Sequence, residues 1–497
     1  MRVSETSPPG LPGPDGALPT PHWRPRLHFT PPAWWMNDPN GLVWHAGRWH
    51  LFYQFHPHSR VWGPMHWGHA SSSDLRVWQD HGVALAPTAA GMVFSGSAVL
   101  DAAHTSGLGS AGAPPLVALY TLHDEAAAQA GQATFQHQAL AYSLDGGGQW
   151  QRLPGPPVLP NPGTPGTRDF RDPKLRWLPE RQRWLMALAV GDHIAFYSAA
   201  DLRHWVHESD FGAGLGAHDG VWECPDLFPL PTPEGELWVL LVSLVKGGPA
   251  GGSATQYFVG HFDGTHFHAD PEGPGVRWID HGPDNYAGVT WAGVPDGRAV
   301  FIGWMNNWDY ARELPTAPWR GAMTLPRELQ LRRSGAGPGG VWRLCSTPAR
   351  EVQAGLGPVL WQTGDPAEAL NFALQAAGGC AWLTCQADAR ESFSLLFDNG
   401  LGDGLRVGFD AVDGVYFIDR RLAGETGFHP AFAARHEVPR WAAGEALTLT
   451  LVLDTSSVEL FADEGCSVLT SQVFPRAPWG RLLCQGPVQG LRLQALG

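Results

Sequence analysis

The sequence is poor in cysteine and in positive charge, and it has no long apolar run. Only 6 of its 497 residues are cysteines and none forms a Cys-x-x-Cys pair, so neither a zinc site nor a disulfide framework is expected. Lys and Arg number 33 against 47 Asp and Glu, which argues against binding to nucleic acid or to anionic lipid. No stretch reaches the ~18 consecutive apolar residues that a membrane-spanning helix needs.

The N-terminal segment also lacks a basic region followed by an apolar region, which is the pattern of a secretory signal peptide. Cytoplasmic residence is therefore expected, and secretion stays open if the natural start lies further upstream. The same segment is rich in Pro and Gly, which predicts a flexible arm over residues 1–25.

Tryptophan, glycine and proline are abundant, with 24, 62 and 44 residues respectively. Many turn residues between apolar stretches indicate short strands joined by turns, and hence an all-β protein. An excess of tryptophan suits carbohydrate binding, because an indole face stacks on the apolar face of a sugar. It suits a large β core equally well, and composition does not separate these two interpretations.

Four segments of the first 330 residues share one pattern: a strand, a turn built on Asp, and an aromatic residue that starts the next strand. The anchor pairs are Asp74 and Trp78, Asp145 and Trp150, Asp201 and Trp205, and Asp263 and Phe267. Successive anchors are 71, 56 and 62 residues apart. Such recurrence favours the blades of a β-propeller over 26–340, and a β-sandwich with hairpins is the alternative.

The pattern changes near residue 345 to plain alternating strands. Ala446–Asp454 alternates apolar residues with Thr, as a half-buried strand does. Asn399-Gly400 and Asp413-Gly414 are typical of hairpin turns. The segment 350–497 is therefore predicted to form a β-sandwich domain, and no catalytic group of residues is evident in it.

Three acidic residues have unusual neighbours. Asp38 follows a run of bulky apolar residues, although its Asn-Asp-Pro-Asn-Gly context is also that of a turn. Asp172 lies in Arg-Asp-Pro-Lys, where a turn with a local ion pair is the simpler interpretation. Glu223 stands between Trp222 and Cys224, and apolar surroundings would favour its protonated form. An outward-facing Glu on an edge strand is the alternative.

These acids match the requirements of glycoside hydrolysis. One carboxylate attacks the anomeric carbon while one carboxylic acid protonates the leaving oxygen. Inner strands of different blades converge on the axis of a propeller, so acids that are distant in sequence can meet there. Cys224 is interpreted as a packing residue that tunes the neighbouring acid, because no His is placed to activate it.

The motifs around these acids occur in the order found in glycoside hydrolase family 32, which the chain resembles from about Arg26 to its C-terminus. That family contains invertases, exo-inulinases, levanases and other β-fructofuranosidases. The stretches Asp284–Trp291 and Gly303–Leu329 are also similar to its exo-acting members. The motifs are Trp35-Met36-Asn37-Asp38-Pro39-Asn40-Gly41, Phe94-Ser95-Gly96-Ser97, Phe170-Arg171-Asp172-Pro173 and Trp222-Glu223-Cys224-Pro225.

The resemblance implies a five-bladed β-propeller followed by a β-sandwich. It implies that Asp38 is the nucleophile, Glu223 the general acid/base and Asp172 the stabiliser of the transition state. It requires no metal and no cofactor. The substrate contacts that it implies are Asn37, Gln54, Trp62, Phe94, Ser95, Arg171, Tyr286 and Trp304, with Trp319 lining the outer pocket.

The expected activity is that of a retaining hydrolase that releases terminal β-D-fructofuranosyl units. Sucrose, fructo-oligosaccharides and fructans of the inulin or levan type are the expected substrates. Two alternatives stay open: a fructosyltransferase that uses the same intermediate, and a non-catalytic protein that binds or senses fructan. The sequence does not decide the linkage preference or the oligomeric state.

Overall fold

The protein is built almost wholly of β-strands in the part that the structure, a computed structural model, describes: residues 20–110, 112–270, 275–334 and 340–496. The short helices in these ranges are α1 (Glu125–Gln129), α2 (Arg350–Ala354), α3 (Ala367–Ala376) and the 3-10 turns Pro21–Trp23 and Ala311–Glu313. No helix in the described ranges has the length and apolar character needed to cross a membrane.

Most of the predicted N-terminal arm, residues 1–19, lies outside the described residues. The remainder of the predicted arm is held in place. Thr20 exchanges backbone and side-chain hydrogen bonds with Ala317, and Trp23 is buried with its indole N–H donating to the carbonyl of Pro475 at 2.7 Å. Residues 20–25 are therefore not part of a flexible arm, because Trp23 supplies an apolar anchor.

The first part of the chain forms five sheets, which are the blades of a propeller. Blades 1 to 4 take four consecutive strands each, and blade 5 takes β17, β18, β21 and β22, with β20 pairing to β18. The strands are β1 (Trp34–His45), β2 (Arg48–His56), β3 (His66–Ser72), β4 (Gln79–Leu85), β5 (Met92–Leu100), β6 (Leu116–His123), β7 (Gln136–Ser143), β8 (Gln151–Arg152), β9 (Phe170–Leu178), β10 (Arg183–Val190), β11 (His193–Ala199), β12 (Val206–Phe211), β13 (Trp222–Thr232), β14 (Gly235–Leu244), β15 (Ala254–Phe262), β16 (Phe267–Ala269), β17 (Tyr286–Thr290), β18 (Ala299–Met305), β19 (Trp319–Arg320), β20 (Ala322–Met323), β21 (Arg327–Ser334) and β22 (Val341–Pro348).

The ring closes through the first strand of each blade. β1 contacts β5, β5 contacts β9, β9 contacts β13, β13 contacts β17, and β17 returns to β1. β19 also pairs in parallel with β1, so a late segment of the chain completes blade 1. The first strands therefore surround the axis, and the fold prediction of a five-bladed propeller is confirmed.

The aspartates of the four predicted anchor pairs all lie in the turn between the third and fourth strands of their blades, which are blades 1 to 4. In the first of them, Asp74 Oδ1 accepts the backbone N–H groups of Arg76 and Val77 at 2.9 and 2.8 Å, and Trp78 is buried. The equivalent carboxylates of Asp145, Asp201 and Asp263 likewise accept backbone N–H groups of their own turns. The repeat is thus a turn that caps itself with a side chain.

The C-terminal part forms two packed sheets of a β-sandwich. Their shared core consists of the inward-facing aliphatic and aromatic residues of both sheets, such as Leu395, Leu451 and Leu469. The predicted strand Ala446–Asp454 is found with these bounds. The strands are β23 (Val359–Gln362), β24 (Ala381–Asp388), β25 (Phe393–Asp398), β26 (Gly404–Asp410), β27 (Val415–Leu422), β28 (Arg435–Pro439), β29 (Ala446–Asp454), β30 (Ser457–Ala462), β31 (Ser467–Gln472), β32 (Arg481–Gln485) and β33 (Gln489–Gln494).

Two features at the junction of the domains differ from the expectations. The last strand of blade 5, β22, lies beyond the predicted propeller boundary at residue 340. A disulfide joins Cys345 on β22 to Cys466 of the sandwich, although cysteine spacing gave no sign of a disulfide. The pair is 121 residues apart in sequence, so only the docking of the two domains brings it together.

Candidate active site

A cavity of about 370 Å³ opens where the inner strands of the blades meet. Nine predicted site residues line it: Asn37, Asp38, Gln54, Trp62, Phe94, Ser95, Arg171, Asp172 and Glu223. The three acids come from β1, β9 and β13, and therefore from three different blades. Asp38 and Glu223, which are 185 positions apart in sequence, thus face one space.

The inner strands lose their regular pairing where they carry the site residues. Register shifts occur between Met36 and Pro39 in β1 and between Val93 and Gly96 in β5. Three further shifts occur in β9 around Asp172, in β13 between Glu223 and Asp226, and in β17 between Tyr286 and Val289. A bulge turns side chains out of the normal alternation of a strand, so each blade can aim polar groups at the axis.

Proline and left-handed backbone conformations account for several of these bulges. Asp38, Asp172 and Cys224 each precede a proline, which has no N–H to donate to a strand ladder. Asp172 has φ +64° and Cys224 has φ +48°. Non-glycine residues rarely adopt this conformation, and it is concentrated at functional sites. The turn-like motifs of the sequence are thus bulges inside strands, not surface turns.

Asp38 is held by donors on both oxygens. Its Oδ1 accepts a hydrogen bond from Asn37 Nδ2 at 3.1 Å, and its Oδ2 accepts one from Ser95 Oγ at 2.8 Å. The amide of Asn37 is itself oriented by Trp35, whose indole N–H donates to Asn37 Oδ1 at 2.8 Å. The tryptophan preceding Asp38 therefore fixes the group that donates to it.

Asp172 and Asp38 both lie next to the thiol of Cys224. Asp172 Oδ2 accepts the backbone N–H of Cys224 at 3.0 Å, and the Cys224 thiol lies 3.6 Å from this oxygen and 3.8 Å from Asp38 Oδ2. The backbone N–H of Asp172 donates to Thr121 Oγ1 at 2.9 Å. Cys224 thus separates two carboxyl groups, and burial raises the pKa of its thiol well above the ordinary value, so it stays neutral.

Glu223 has polar partners on both oxygens. Its Oε1 accepts from Arg171 Nη2 at 2.8 Å and Nε at 3.2 Å, and its Oε2 accepts from the Tyr286 hydroxyl. The apolar wall expected from the sequence is absent. Trp222 packs into the core between blades 3 and 4, and Cys224 turns toward the aspartates, because the bulge follows directly after Glu223.

The electrostatics of the cluster favour the retention of a proton. Burial, and next the charge of Glu223, raise the pKa of Asp38 to about 6. Burial raises the pKa of Asp172 to about 7, with Glu223 and Asp38 adding to the shift and Arg171 opposing it. The carboxyl groups of Asp38 and Asp172 therefore titrate closer to neutral pH than those of isolated aspartates.

Three predicted substrate contacts lie outside the cavity wall. Tyr286 is fully buried and reaches the site only through its hydroxyl on Glu223. Trp304 pairs with Tyr286 across blade 5 and packs under Trp308 with ring centroids 4.9 Å apart. Trp319 does not line the pocket as expected: it is buried in a separate cluster, with the guanidinium of Arg24 3.8 Å above its ring.

Eight cavity residues were not identified from the sequence: His123, Glu125, Phe135, Gln136, Asp169, Val245, Trp308 and Arg312. Trp308 and Arg312 lie within the stretch Gly303–Leu329, in which the resemblance implied only Trp304 and Trp319 as substrate contacts. His123 stacks on Phe94 with ring centroids 4.1 Å apart, which no local pattern reveals. In the described part of the chain, no group of three or more His, Cys, Asp or Glu could hold a metal ion.

This geometry supplies a buried carboxylate with fixed donors and a second carboxyl group that is hydrogen-bonded to a tyrosine. Burial, and then Glu223, raise the pKa of the Tyr286 hydroxyl well above the ordinary value, so it acts as a proton-bearing donor. Aromatic residues Trp62, Phe94 and Trp308 line the cavity. Paired carboxyl groups in an aromatic-flanked cavity are the arrangement that glycoside cleavage requires.

Comparison with known proteins identifies the family of the chain. Residues 28–337 match the glycosyl hydrolases family 32 N-terminal domain, and residues 361–483 match the family's C-terminal domain. A levanase of Bacillus subtilis is 42% identical over 465 residues, which cover 91% of this chain and 66% of the levanase.

Two crystal structures are similar over nearly the whole chain. The exo-inulinase of Aspergillus awamori has a TM-score of 0.84 and 33% identity, with 95% of this chain and 97% of that chain covered. The β-fructofuranosidase of Schwanniomyces occidentalis, solved with fructosyl-erythritol, has a TM-score of 0.82 and 27% identity, with the same coverage of 95% and 97%. The chain therefore belongs to glycosyl hydrolase family 32.

Proposed function

We propose that this protein is a retaining hydrolase that removes terminal β-D-fructofuranosyl units from sucrose, fructo-oligosaccharides and fructans. The observation that carries the proposal is the convergence of Asp38, Asp172 and Glu223 from three blades on one cavity. A protein that only binds sugar has no need of two carboxyl groups with separate hydrogen-bond environments. A retaining glycosidase needs both.

Asp38 is the nucleophile of the proposed reaction. Its oxygen attacks C2 of the terminal fructosyl unit, a C2–O bond to Asp38 forms, and the glycosidic C2–O bond breaks. The pKa of about 6 leaves this carboxylate largely ionised at neutral pH. The donors Asn37 and Ser95 favour the ionised form and hold one oxygen toward the sugar.

Glu223 is the general acid and then the general base. It gives its proton to the leaving oxygen in the first step. In the second step it takes a proton from water, which attacks C2 and breaks the bond to Asp38, so the configuration at C2 is retained. Arg171 and the Tyr286 hydroxyl hold its carboxyl group at the cavity wall.

Asp172 stabilises the oxocarbenium-like transition state by hydrogen bonds to the sugar hydroxyls, together with Arg171. Its Oδ2 is fixed by the backbone N–H of Cys224, and Asp172 does not need to move during the reaction. Preorganised groups of this kind lower the barrier because they cost no reorganisation when charge develops.

The substrate class rests on the relatives. The levanase and the exo-inulinase are named for fructans with different linkages, and the β-fructofuranosidase carries a fructosyl ligand. The names and the ligand have the fructosyl unit in common. The terminal fructosyl unit is therefore the feature we propose that this cavity recognises, with the linkage read by residues nearer the opening.

The experiment is an assay of fructose release from sucrose, inulin and levan with Asp38→Asn and Glu223→Gln. Each change keeps the shape of the side chain, and we expect turnover to fall by about 1,000-fold or more. The matched control is Asp101→Asn, at a buried aspartate in the loop after β5 whose carboxylate accepts hydrogen bonds from Thr105 and Ser106. Normal turnover in either site variant contradicts the assignment.

The product mixture separates the alternatives. A hydrolase gives free fructose at high sucrose concentration, whereas a fructosyltransferase gives longer oligosaccharides. A binding protein gives neither product. Added methanol tests retention, because capture of the Asp38-bound intermediate yields a methyl β-fructofuranoside and an inverting enzyme yields none.

A further inference from the structure

The sandwich domain binds the part of blade 5 that carries Tyr286, the hydrogen-bond partner of Glu223. The segment just before β17 carries Asp284, which is fully buried. Its backbone N–H donates to the carbonyl of Thr470 on β31, and its Oδ2 accepts the backbone N–H of Gln472 at 2.8 Å. A sandwich strand thus binds both the backbone and the side chain of this propeller residue.

Arg420 of the sandwich completes the partners of Asp284. Its Nη1 donates to Asp284 Oδ2 at 2.6 Å, and its Nη2 donates to the Tyr310 hydroxyl at 3.0 Å. The Tyr310 hydroxyl donates to Asp284 Oδ1 at 2.6 Å. The guanidinium and the carboxylate have no exposed area, so the loss of either partner would leave an uncompensated buried charge.

A second contact of β31 reaches the neighbouring strand of blade 5. Gln472 Nε2 donates to the carbonyl of Met305 at 2.9 Å, directly after Trp304. Trp304 pairs with Tyr286 in the blade and packs against it with ring centroids 6.3 Å apart. The segment that leads into Tyr286 and the strand that pairs with Tyr286 are therefore both attached to the sandwich.

Tyr286 connects the segment held by the sandwich to the active site. It lies two residues after Asp284, at the start of β17, and its hydroxyl donates to Glu223 Oε2. Ala287 follows with φ +53°, a conformation that an alanine adopts only under constraint from its surroundings. The backbone at Tyr286 is thus fixed from one side by Asp284 and from the other by the bulge.

We infer that Arg420 and Gln472 of the sandwich are positioning residues for the active site: through Asp284 and Met305 they hold Tyr286 so that its hydroxyl meets Glu223. The sandwich thereby contributes to the chemical step without touching the sugar. This inference rests on the proposed function, since it assigns the effect to the proton donor of that reaction.

A double-mutant cycle tests the inference with Arg420→Met, Tyr286→Phe and the double variant. Tyr286→Phe removes a hydrogen bond to a carboxyl group, so we expect kcat to fall about tenfold with KM changed less than about twofold. Arg420→Met should lower kcat by a similar factor. The double variant should be no slower than the slower single variant, because both changes break one pathway.

The matched control is Arg440→Met. Arg440 is also a sandwich arginine in a mostly buried ion pair, with Asp463 at 2.9 Å, and it makes no contact with Asp284. The Arg440→Met variant should have a lower unfolding temperature and an unchanged kcat. Arg420→Lys, which keeps the charge, should recover part of the lost kcat. Independent effects that multiply to about 100-fold in the double variant would overturn the inference.

Gln472→Met keeps the inference testable if Arg420→Met does not fold, because it removes only the bond to the Met305 carbonyl. It should lower kcat about threefold without a change of KM, and this loss should vanish in a Tyr286→Phe background. An unchanged kcat, or a loss that persists in that background, overturns the inference. A wild-type protein that releases no fructose would instead contradict the proposed function itself.

Discussion

At the scale of the residue, the ionisation of Asp38 depends on a balance of burial and donated hydrogen bonds. Burial and Glu223 raise its pKa to about 6, and the donors Asn37 and Ser95 oppose this shift. The nucleophile must be ionised to react. The acidic limb of the kcat/KM profile of the free enzyme should therefore lie near pH 6.

Ser95→Ala removes one of these donors. Because the lost hydrogen bond favoured the ionised form, the pKa of Asp38 should rise, and the acidic limb of kcat/KM should move up by about one pH unit. Profiles of kcat/KM against pH on sucrose measure this shift. Ser209→Ala is the control, since the buried Ser209 lies on the edge strand β12 of blade 3, away from the cavity, and its hydroxyl donates to the carbonyl of Thr265 at 2.6 Å. An unmoved limb would show that Ser95 does not set the ionisation of Asp38.

The three acids and six of their fourteen cavity neighbours were predictable, because they belong to the set of residues that the ordered motifs imply. The immediate environment of Glu223 was not. Local sequence placed it between Trp222 and Cys224, but its partners Arg171 and Tyr286 come from other blades, 52 and 63 residues away. Trp319 was misplaced for the same reason: its partner Arg24 lies on a segment far from it in sequence.

At the scale of the element, the sequence predicted the positions of the outer turns of the blades better than the conformation of the inner strands. The anchor Asp74 bonds within its own turn, so three or four residues suffice to recognise it. The inner strands combine proline, asparagine and glycine, and these residues are typical of turns. They form bulges here because the neighbouring blades supply the packing and hydrogen bonds that a local pattern does not contain.

Asp74→Ala tests the importance of the self-capping turn. It leaves the N–H groups of Arg76 and Val77 without their acceptor, so the free energy of unfolding should fall by about 1–2 kcal/mol. Asp74→Asn, which keeps the acceptor oxygen, should lose less than half of that. Urea unfolding at pH 7 measures both, with Glu180→Ala at an exposed hairpin position as the control. Equal losses for the alanine and asparagine variants would contradict the capping role.

At the scale of the whole molecule, a buried ionic network ties the segment before β1 and blade 5 to the sandwich. His28 bonds Asp454 Oδ2 at 2.8 Å and Glu459 Oε1 at 3.0 Å. Arg327 of blade 5 joins Glu459 at 2.9 Å. Such a network could not be predicted from the sequence, because it consists of unremarkable charged residues more than 130 positions apart.

The network makes the stability of the protein depend on pH above neutrality. Burial alone would lower the pKa of His28, but its hydrogen bonds to Asp454 and Glu459 raise it to about 9. A histidine that binds its proton more tightly when folded stabilises the fold fully below its unfolded value of 6.5, and this contribution is lost as pH rises through about 9. The free energy of unfolding should fall by roughly 3 kcal/mol at most over this interval.

His28→Gln separates this contribution from all others. The variant should be less stable at pH 7, and its free energy of unfolding should vary less between pH 7 and 9 than that of the wild type. Histidines with lowered pKa values, such as His50 and His281, titrate below this interval and cannot produce the difference. Urea unfolding at pH 7, 8 and 9 with the disulfide intact measures it. Parallel pH dependences of the two proteins would show that His28 does not carry the proton that links the domains.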